Sequence, residues 1–498
     1  MTPAGEANGR RRVDRQTALV LLLVLLAALP VAAVRYPAML DYPAHLARWH
    51  VMLHRGESPA LQQFYTFHWQ WLPNLGADLL IRPLSALFGL ETGGRIIAGL
   101  APVLLALGFV ATDKALHGRV GVGSLLALAT VWAPSLLMGF LNFTLAEALA
   151  FLGFALWVRL EGQVWRGPLF LVGAPLAWLC HLAGWGVLGV LVFGHEWALR
   201  PGGRGVVRAA LATWPLWPPA ALILLAGGGG DAAPFAFTLA EFRAKAFYWV
   251  IGLRDASPAL DIATVLLLAG AALFALRRGW CDPRIGIAAL LLAALVFLVP
   301  RNLGGGDFAD LRLVPVALAA GALSIDRAVG PRLLALAALP FVLRLAVTTA
   351  NWLERSAETA GELAALDHLP PGSVVAAAWG YRPSEWRQSP HGHDFAWATI
   401  RRDALVNAHF AVPGLHALQL ARPDPGFVDP SQRIVLAPGE RADLCGFGPA
   451  RAAQFLWYIG DAPPLRLPAG AVVVWRGSGS LLARLASSPP AGASCQAP

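Results

Sequence analysis

Long apolar runs follow one another from residue 17 to residue 350, and they constrain this chain more than any other feature. A bilayer core about 30 Å thick takes roughly 20 apolar residues per helix. By that measure eleven runs are expected spans: 17–35, 94–112, 121–140, 143–158, 168–181, 183–198, 209–226, 259–276, 285–300, 311–323 and 332–350. Composition agrees. Only 14% of the 498 residues are charged and 57% are hydrophobic, against about 25% charged in an ordinary soluble domain. A soluble globular protein and a disordered chain are both excluded. The net charge of +9 is diluted over apolar runs rather than gathered on a basic face, so no nucleic-acid partner is expected.

The loops orient the bundle, because Arg and Lys are retained on the cytoplasmic side. With the N-terminus inside, every inside connection carries basic residues: Arg10 to Arg12 and Arg15, then Lys114 and Arg119, Arg159 and Arg166, Arg200 to Arg208, Arg277 to Arg284, and Arg327 with Arg332. The rule then places everything after residue 350 outside, in the periplasm of a bacterium whose inner membrane holds the bundle. The first run reads as an uncleaved anchor, since it extends to Val34.

Residues 351–498 change character: apolar runs shorten and Pro, His, Asp and Arg become frequent. A helix over Gly361 to Leu369 and strand-like runs at Ser373 to Trp379, Arg433 to Leu436, Gln454 to Ile459 and Ala471 to Trp475 predict a small α/β domain. Residues 1–350 form the membrane domain, with outer juxtamembrane helices over about 41–92, and 487–498 read as a disordered tail. Cys445 and Cys495 share an oxidising compartment and could pair, although Cys495 lies in that tail, so the sequence leaves their pairing open; Cys180 and Cys281 are free thiols.

Polar residues gather on the outer face. The first outer segment reads Leu40-Asp41-Tyr42-Pro43-Ala44-His45-Leu46-Ala47-Arg48-Trp49-His50. Pro43 suits a first helical turn, and Asp41, His45 and Arg48 fall on one face of an amphipathic helix that lies along the membrane surface. Trp69 and Trp71 follow in an aromatic segment, and His181 sits in a tight turn between spans. Arg301, Asp307, Asp310 and Arg312 flank the glycine run Gly304 to Gly306. Each has a plainer reading: a carboxylate at a helix start, an interfacial aromatic belt, local Arg–Asp pairs, a buried imidazole. His391, His393 and Asp394 read as a solvated polar loop, and no fourth ligand accompanies them as a metal site would require. What favours function is convergence at one depth and on one side.

This arrangement resembles the GT-C superfamily of membrane glycosyltransferases, which take sugar from a polyprenyl phosphate carrier. The resemblance rests on an inside N-terminus, Asp41 in the loop straight after the first span, juxtamembrane helices, many spans and an extracytoplasmic C-terminal domain. Many members carry two acidic residues in that loop; here Tyr42 follows Asp41, so no metal or other cofactor is implied. The Trp-Trp-Asp motif of oligosaccharyltransferases is missing. The resemblance implies an α-helical polytopic fold of about eleven membrane helices and an inverting transfer from a polyprenyl-phosphate sugar to a lipid or glycan acceptor. It makes Asp41 the general base. Arg301 and Arg312 are candidates for the phosphate and Trp69 or Trp71 for a sugar face, while His45, Arg48, His181 and Asp310 complete the candidate substrate-binding set. A transporter or flippase, and a non-catalytic scaffold or receptor binding a partner through residues 351–498, are the competing readings.

Overall fold

The computed structural model describes residues 15–225, 238–303, 306–387, 389–411, 416–422, 425–428, 430–486 and 495–498. Among these, four helical stretches are long and apolar enough to cross a membrane: Leu90–His117, Leu141–Arg159, Pro258–Arg277 and Pro331–His368. Their ends follow from local chemistry. Pro258 and Pro331 occupy first turns, where a missing N–H costs nothing. Gly118, at φ +72°, ends Leu90–His117 by returning its N–H to the Lys114 carbonyl. Arg166–Cys180, Leu182–Ala198, Pro283–Leu298 and Leu313–Leu323 are shorter helices packed into the same bundle.

Three expected spans are broken. The run 17–35 becomes Arg15–Leu26 and Leu29–Ala33. The run 121–140 divides into Val122–Ala127, a 3-10 turn Leu128–Thr130 and Pro134–Leu137. The run 209–226 divides into Gly205–Ala212, Trp214–Leu216 and Pro218–Leu225. Pro30, Pro134, Pro215 and Pro218 remove the donors that a continuous helix needs. In the second run nearly every side chain is buried, so protein rather than lipid surrounds the irregular backbone. The described residues therefore do not show eleven continuous membrane helices.

Buried ion pairs tie the bundle together. Arg344 pairs with Asp261 and donates to the Trp132 carbonyl at 3.0 Å, while Asp261 also accepts from the Trp386 indole at 2.9 Å. Lys245, on the helix Leu239–Ile251, turns inward and pairs with Asp310 at 2.5 Å.

The C-terminal part carries most of the strands: β1 (Tyr65–Phe67) lies in the first outer loop, and β2 (Val374–Tyr381), β3 (Leu405–Val406), β4 (Leu418–Leu420), β5 (Arg433–Val435), β6 (Phe455–Ile459), β7 (Val472–Arg476) and β8 (Leu481–Arg484) follow. The main sheet runs β3-β2-β6-β8-β7, with β5 also on β2. β2 is parallel to β3, β5 and β6, whereas β8 is antiparallel to β6 and β7. The period-2 rule divides β2 cleanly. Val375, Ala377 and Trp379 join the core shared with the membrane helices; Ala376 and Ala378 face a second core with Leu456, Tyr458 and Leu481.

Two further contacts join this part to the bundle. β1 pairs antiparallel with β4, Tyr65 opposite Leu420 and Phe67 opposite Leu418. The juxtamembrane helix Tyr42–His54 does not lie on the membrane surface: both its apolar side and Tyr42, His45 and Arg48 are buried. Enclosure between bundle and sheet, rather than amphipathicity, sets its place.

Cys445 and Cys495 are joined in a disulfide, which the sequence left open, with Cα atoms 5.6 Å apart. Gln496 explains the placement, since its backbone pairs with Leu467 and brings the chain end back to the sheet. Residues 487–494 of the expected tail lie outside the described residues. Replacing Cys495 by Ser is expected to lower stability by about 2–4 kcal/mol, read as an earlier midpoint in urea unfolding followed by tryptophan fluorescence.

Candidate active site

Asp41 is the N-cap of Tyr42–His54, yet its side chain makes no cap hydrogen bond. Its backbone N–H donates to the Met138 carbonyl at 3.0 Å, docking the turn on the broken segment before Leu141. Gly139 makes that approach possible: it sits at φ +88°, and a Cβ there would meet Asp41 Cβ at 3.0 Å. The carboxylate is thereby directed into a cavity, 13% exposed.

Behind it runs a polar chain. Arg48 Nη1 lies 2.8 Å from Asp78 Oδ1, with both side chains 1% exposed. Arg48 Nη2 also faces His45 Nδ1 at 3.3 Å. A guanidinium only donates, so the imidazole proton sits on Nε2 and is donated to the Gly139 carbonyl at 3.2 Å. Burial, and then the Arg48 charge, hold the His45 pKa well below its ordinary value. His45 and Arg48 therefore position the Asp41 turn, and Arg48 is engaged too deeply to meet a substrate.

The cavity holding Asp41 measures about 340 Å³ and is also lined by His181, Arg312, His393, Phe410, His416 and Arg433. Arg312 stacks over Phe140, 3.8 Å from the ring centroid, and donates to the Asp307 carbonyl at 2.8 Å. Its Nε is buried without a partner. His181 caps Leu182–Ala198 by accepting the Ala183 N–H at Nδ1. Its Nε2 lies 3.3 Å from Arg312 Nη1. A guanidinium only donates, so Arg312 is the donor at that contact.

A second cavity of about 420 Å³ lies between the outer loops and the sheet. It shares Leu40, Met138, Asp307, Phe308 and Arg433 with the first, so the two are lobes of one cleft. Phe308, at φ +57°, stands where they meet. Arg301 lines the second lobe only, and its fork is already taken by Asp307, at 2.7 and 2.9 Å.

The remaining candidates lie elsewhere. Asp310 is fully buried and neutralises Lys245, a pairing with a helix outside its own loop. Trp69 and Trp71 are 45% and 83% exposed and line neither lobe; β1 beside them pairs with β4 and draws the segment outward. The segment with His391, His393 and Asp394 is not solvated: His393 and Asp394 are 1% and 3% exposed. His391 is gripped by Asp394 at 2.7 Å and Glu358 at 3.5 Å. His393 reaches Asp41, its Nε2 lying 3.6 Å from Oδ1. Nothing in the sequence near Asp41 signals His393, Phe410 or Arg433, which lie more than 300 residues away; the polar His391-Gly392-His393-Asp394 run is the one available pointer. Among the described residues no group of three or more His, Cys, Asp or Glu side chains is arranged to hold a metal ion.

Neither the known protein families nor the curated proteins contain a match to this chain. Solved structures do match. ArnT from Cupriavidus metallidurans bound to undecaprenyl phosphate is 14% identical with a TM-score of 0.50, over 95% of this chain and 97% of that one. The apo form of the same protein is 12% identical with a TM-score of 0.52, over 94% and 98%. The likeness is one of fold. The many-helix architecture with a C-terminal sheet region expected from the sequence is thus shared with that protein over nearly the full length of both chains.

Two outcomes follow from the geometry. Asp78→Leu leaves Arg48 buried and unpaired and is expected to destabilise the protein by about 3–5 kcal/mol, with the Arg48→Leu/Asp78→Leu double variant closer to wild type; thermal unfolding in detergent compares them. His391 is pushed down by burial, but the Asp394 and Glu358 carboxylates outweigh this and raise its pKa to about 9. A raised folded-state value means stabilisation present below the ordinary value of about 6.5 and lost as pH rises through about 9, amounting to up to about 3 kcal/mol. Urea unfolding between pH 6 and pH 10 should show that loss in the wild type and lack it in His391→Ala.

Proposed function

We propose that this chain is a glycosyltransferase of a bacterial inner membrane, moving a sugar from a polyprenyl-phosphate donor to a hydroxyl of a lipid or glycan acceptor on the periplasmic face. The observation that carries this reading is the meeting of Asp41 and Arg312 in one cavity, within a fold like that of a protein crystallised with undecaprenyl phosphate. In this reading residues 1–350 hold the carrier and residues 351–498 close the cleft from the periplasm.

Arg312 would take the donor phosphate, whose oxygens accept from its guanidinium, with His181 beside it. Stacking on Phe140 keeps the guanidinium plane fixed, so little freedom is lost on binding. Asp41, across the cavity, accepts the acceptor's hydroxyl proton as its oxygen attacks the anomeric carbon. The bond to the phosphate breaks on the opposite face, and direct displacement inverts that centre. Base assistance of this kind contributes about 10² to 10⁴ in rate. Arg301 has a lesser part, because an anion there competes with Asp307. The polar second lobe suits the acceptor.

The test is release of free carrier phosphate from polyprenyl-phosphate sugars by the purified protein. Asp41→Asn should lower kcat by about 10²-fold or more with donor affinity retained. Arg312→Leu should instead raise KM for the donor, and Arg301→Ala should change either constant only a few-fold. Undiminished transfer by Asp41→Asn removes the carboxylate from the reaction.

A further inference from the structure

The second half of the proton-accepting machinery comes from the far end of the chain. On the transferase reading, we propose that His393 acts with Asp41 as a dyad, in which Asp41 takes the acceptor's proton and His393 holds it while the sugar moves.

Geometry carries this. His393 Nδ1 donates to the Ala408 carbonyl at 3.2 Å, leaving the Nε2 lone pair turned toward Asp41. The separation of 3.6 Å is within ion-pair range, and such contacts tighten when substrate binds. The turn bearing His393 is placed with care. Gly392 touches the residue before Asp41: a Cβ there would meet Leu40 Cδ1 at 2.7 Å and Trp379 Cζ3 at 2.8 Å. Asp394 accepts from His391, and from Thr359 on the long helix at 3.2 Å, tying the turn to the bundle. The Phe410 ring packs against His393, His45 and His416 alike, with centroids 5.0–5.1 Å apart.

An isolated carboxylate, at about 3.9, is a poor resting place for an alcohol's proton, whereas an imidazole at about 6.5 is a better one. The hydroxyl proton passes to Asp41 as the new C–O bond forms and the anomeric C–O bond to phosphate breaks, its electron pair leaving with the carrier phosphate. The proton then moves from Asp41 to His393 Nε2, giving an imidazolium beside a carboxylate, and leaves to water with the product. Arg312 acts on Asp41 from across the cavity. His45 and Arg48 lie on the helix below, and His416 lies behind Phe410. His391 and Asp394, on the turn itself, are occupied with each other and with Glu358 and Thr359. Asp41 is a carboxylate within ion-pair range of His393 Nε2.

The experiment measures carrier-phosphate release against pH for wild type, His393→Ala and His393→Gln. Gln keeps the bulk and a polar N–H but cannot take a proton. Both variants are expected to lower kcat by about 10²-fold with KM for the donor within twofold. The acid limb of their kcat profiles should move to lower pH. Rescue by Gln, or a kcat within threefold of wild type with the acid limb unmoved, overturns the dyad. If the Ala variant fails to fold, the near-isosteric Gln variant decides alone. Absence of release by the wild type would instead fell the transferase reading and the dyad with it.

Discussion

One buried guanidinium, that of Arg48, is where the outer helix, the first outer loop and the cavity wall meet. Charge sealed from water survives only with a partner and with its hydrogen bonds met. Asp78 supplies the charge, and His45 takes a further donor and passes the constraint to the Gly139 carbonyl. Gly139 in turn is the surface against which Asp41 rests. The carboxylate in the cavity is thus held from behind by buried groups, and its side chain makes no helix-capping hydrogen bond.

The cleft is a joint product of two dissimilar parts of the chain. The bundle contributes Asp41, His181 and Arg312, each at the end of a helix where the backbone turns. The C-terminal sheet contributes Trp379, Tyr381 and Arg433, and the loops between its strands bring His393 and Phe410. The β1–β4 pairing and the Arg344–Asp261–Trp386 contact bind those parts at separate points. Such support is what positioning chemistry needs, since an error of about 1 Å in a reacting group costs roughly 10²-fold in rate.

Much of the frame was legible in the residues alone. Apolar length and prolines mark the helices Leu90–His117, Leu141–Arg159 and Pro258–Arg277, and short apolar runs mark β2, β5, β6 and β7. The Asp41-Tyr42-Pro43 start of a helix after the first apolar run was equally plain. Continuity was not: the run 121–140 is apolar enough to span but is folded into short pieces inside the protein, and hydropathy does not separate burial in protein from burial in lipid.

By itself, then, the sequence determined that this is a helical membrane chain with a small sheet region, and that many of its polar residues gather in the loops on one side. Tertiary structure alone decided which charges are consumed and which are left to act. Arg48 and Arg301 look alike on paper to Arg312, and Asp310 to Asp41, yet Arg48 and Asp310 are neutralised in the interior and Arg301 is forked on Asp307. Only packing brings His393 to Asp41 across some 350 residues. The reason is physical: apolar burial is read from a residue's own neighbours in the chain, whereas the worth of a charge depends on what stands within a few ångströms of it in space.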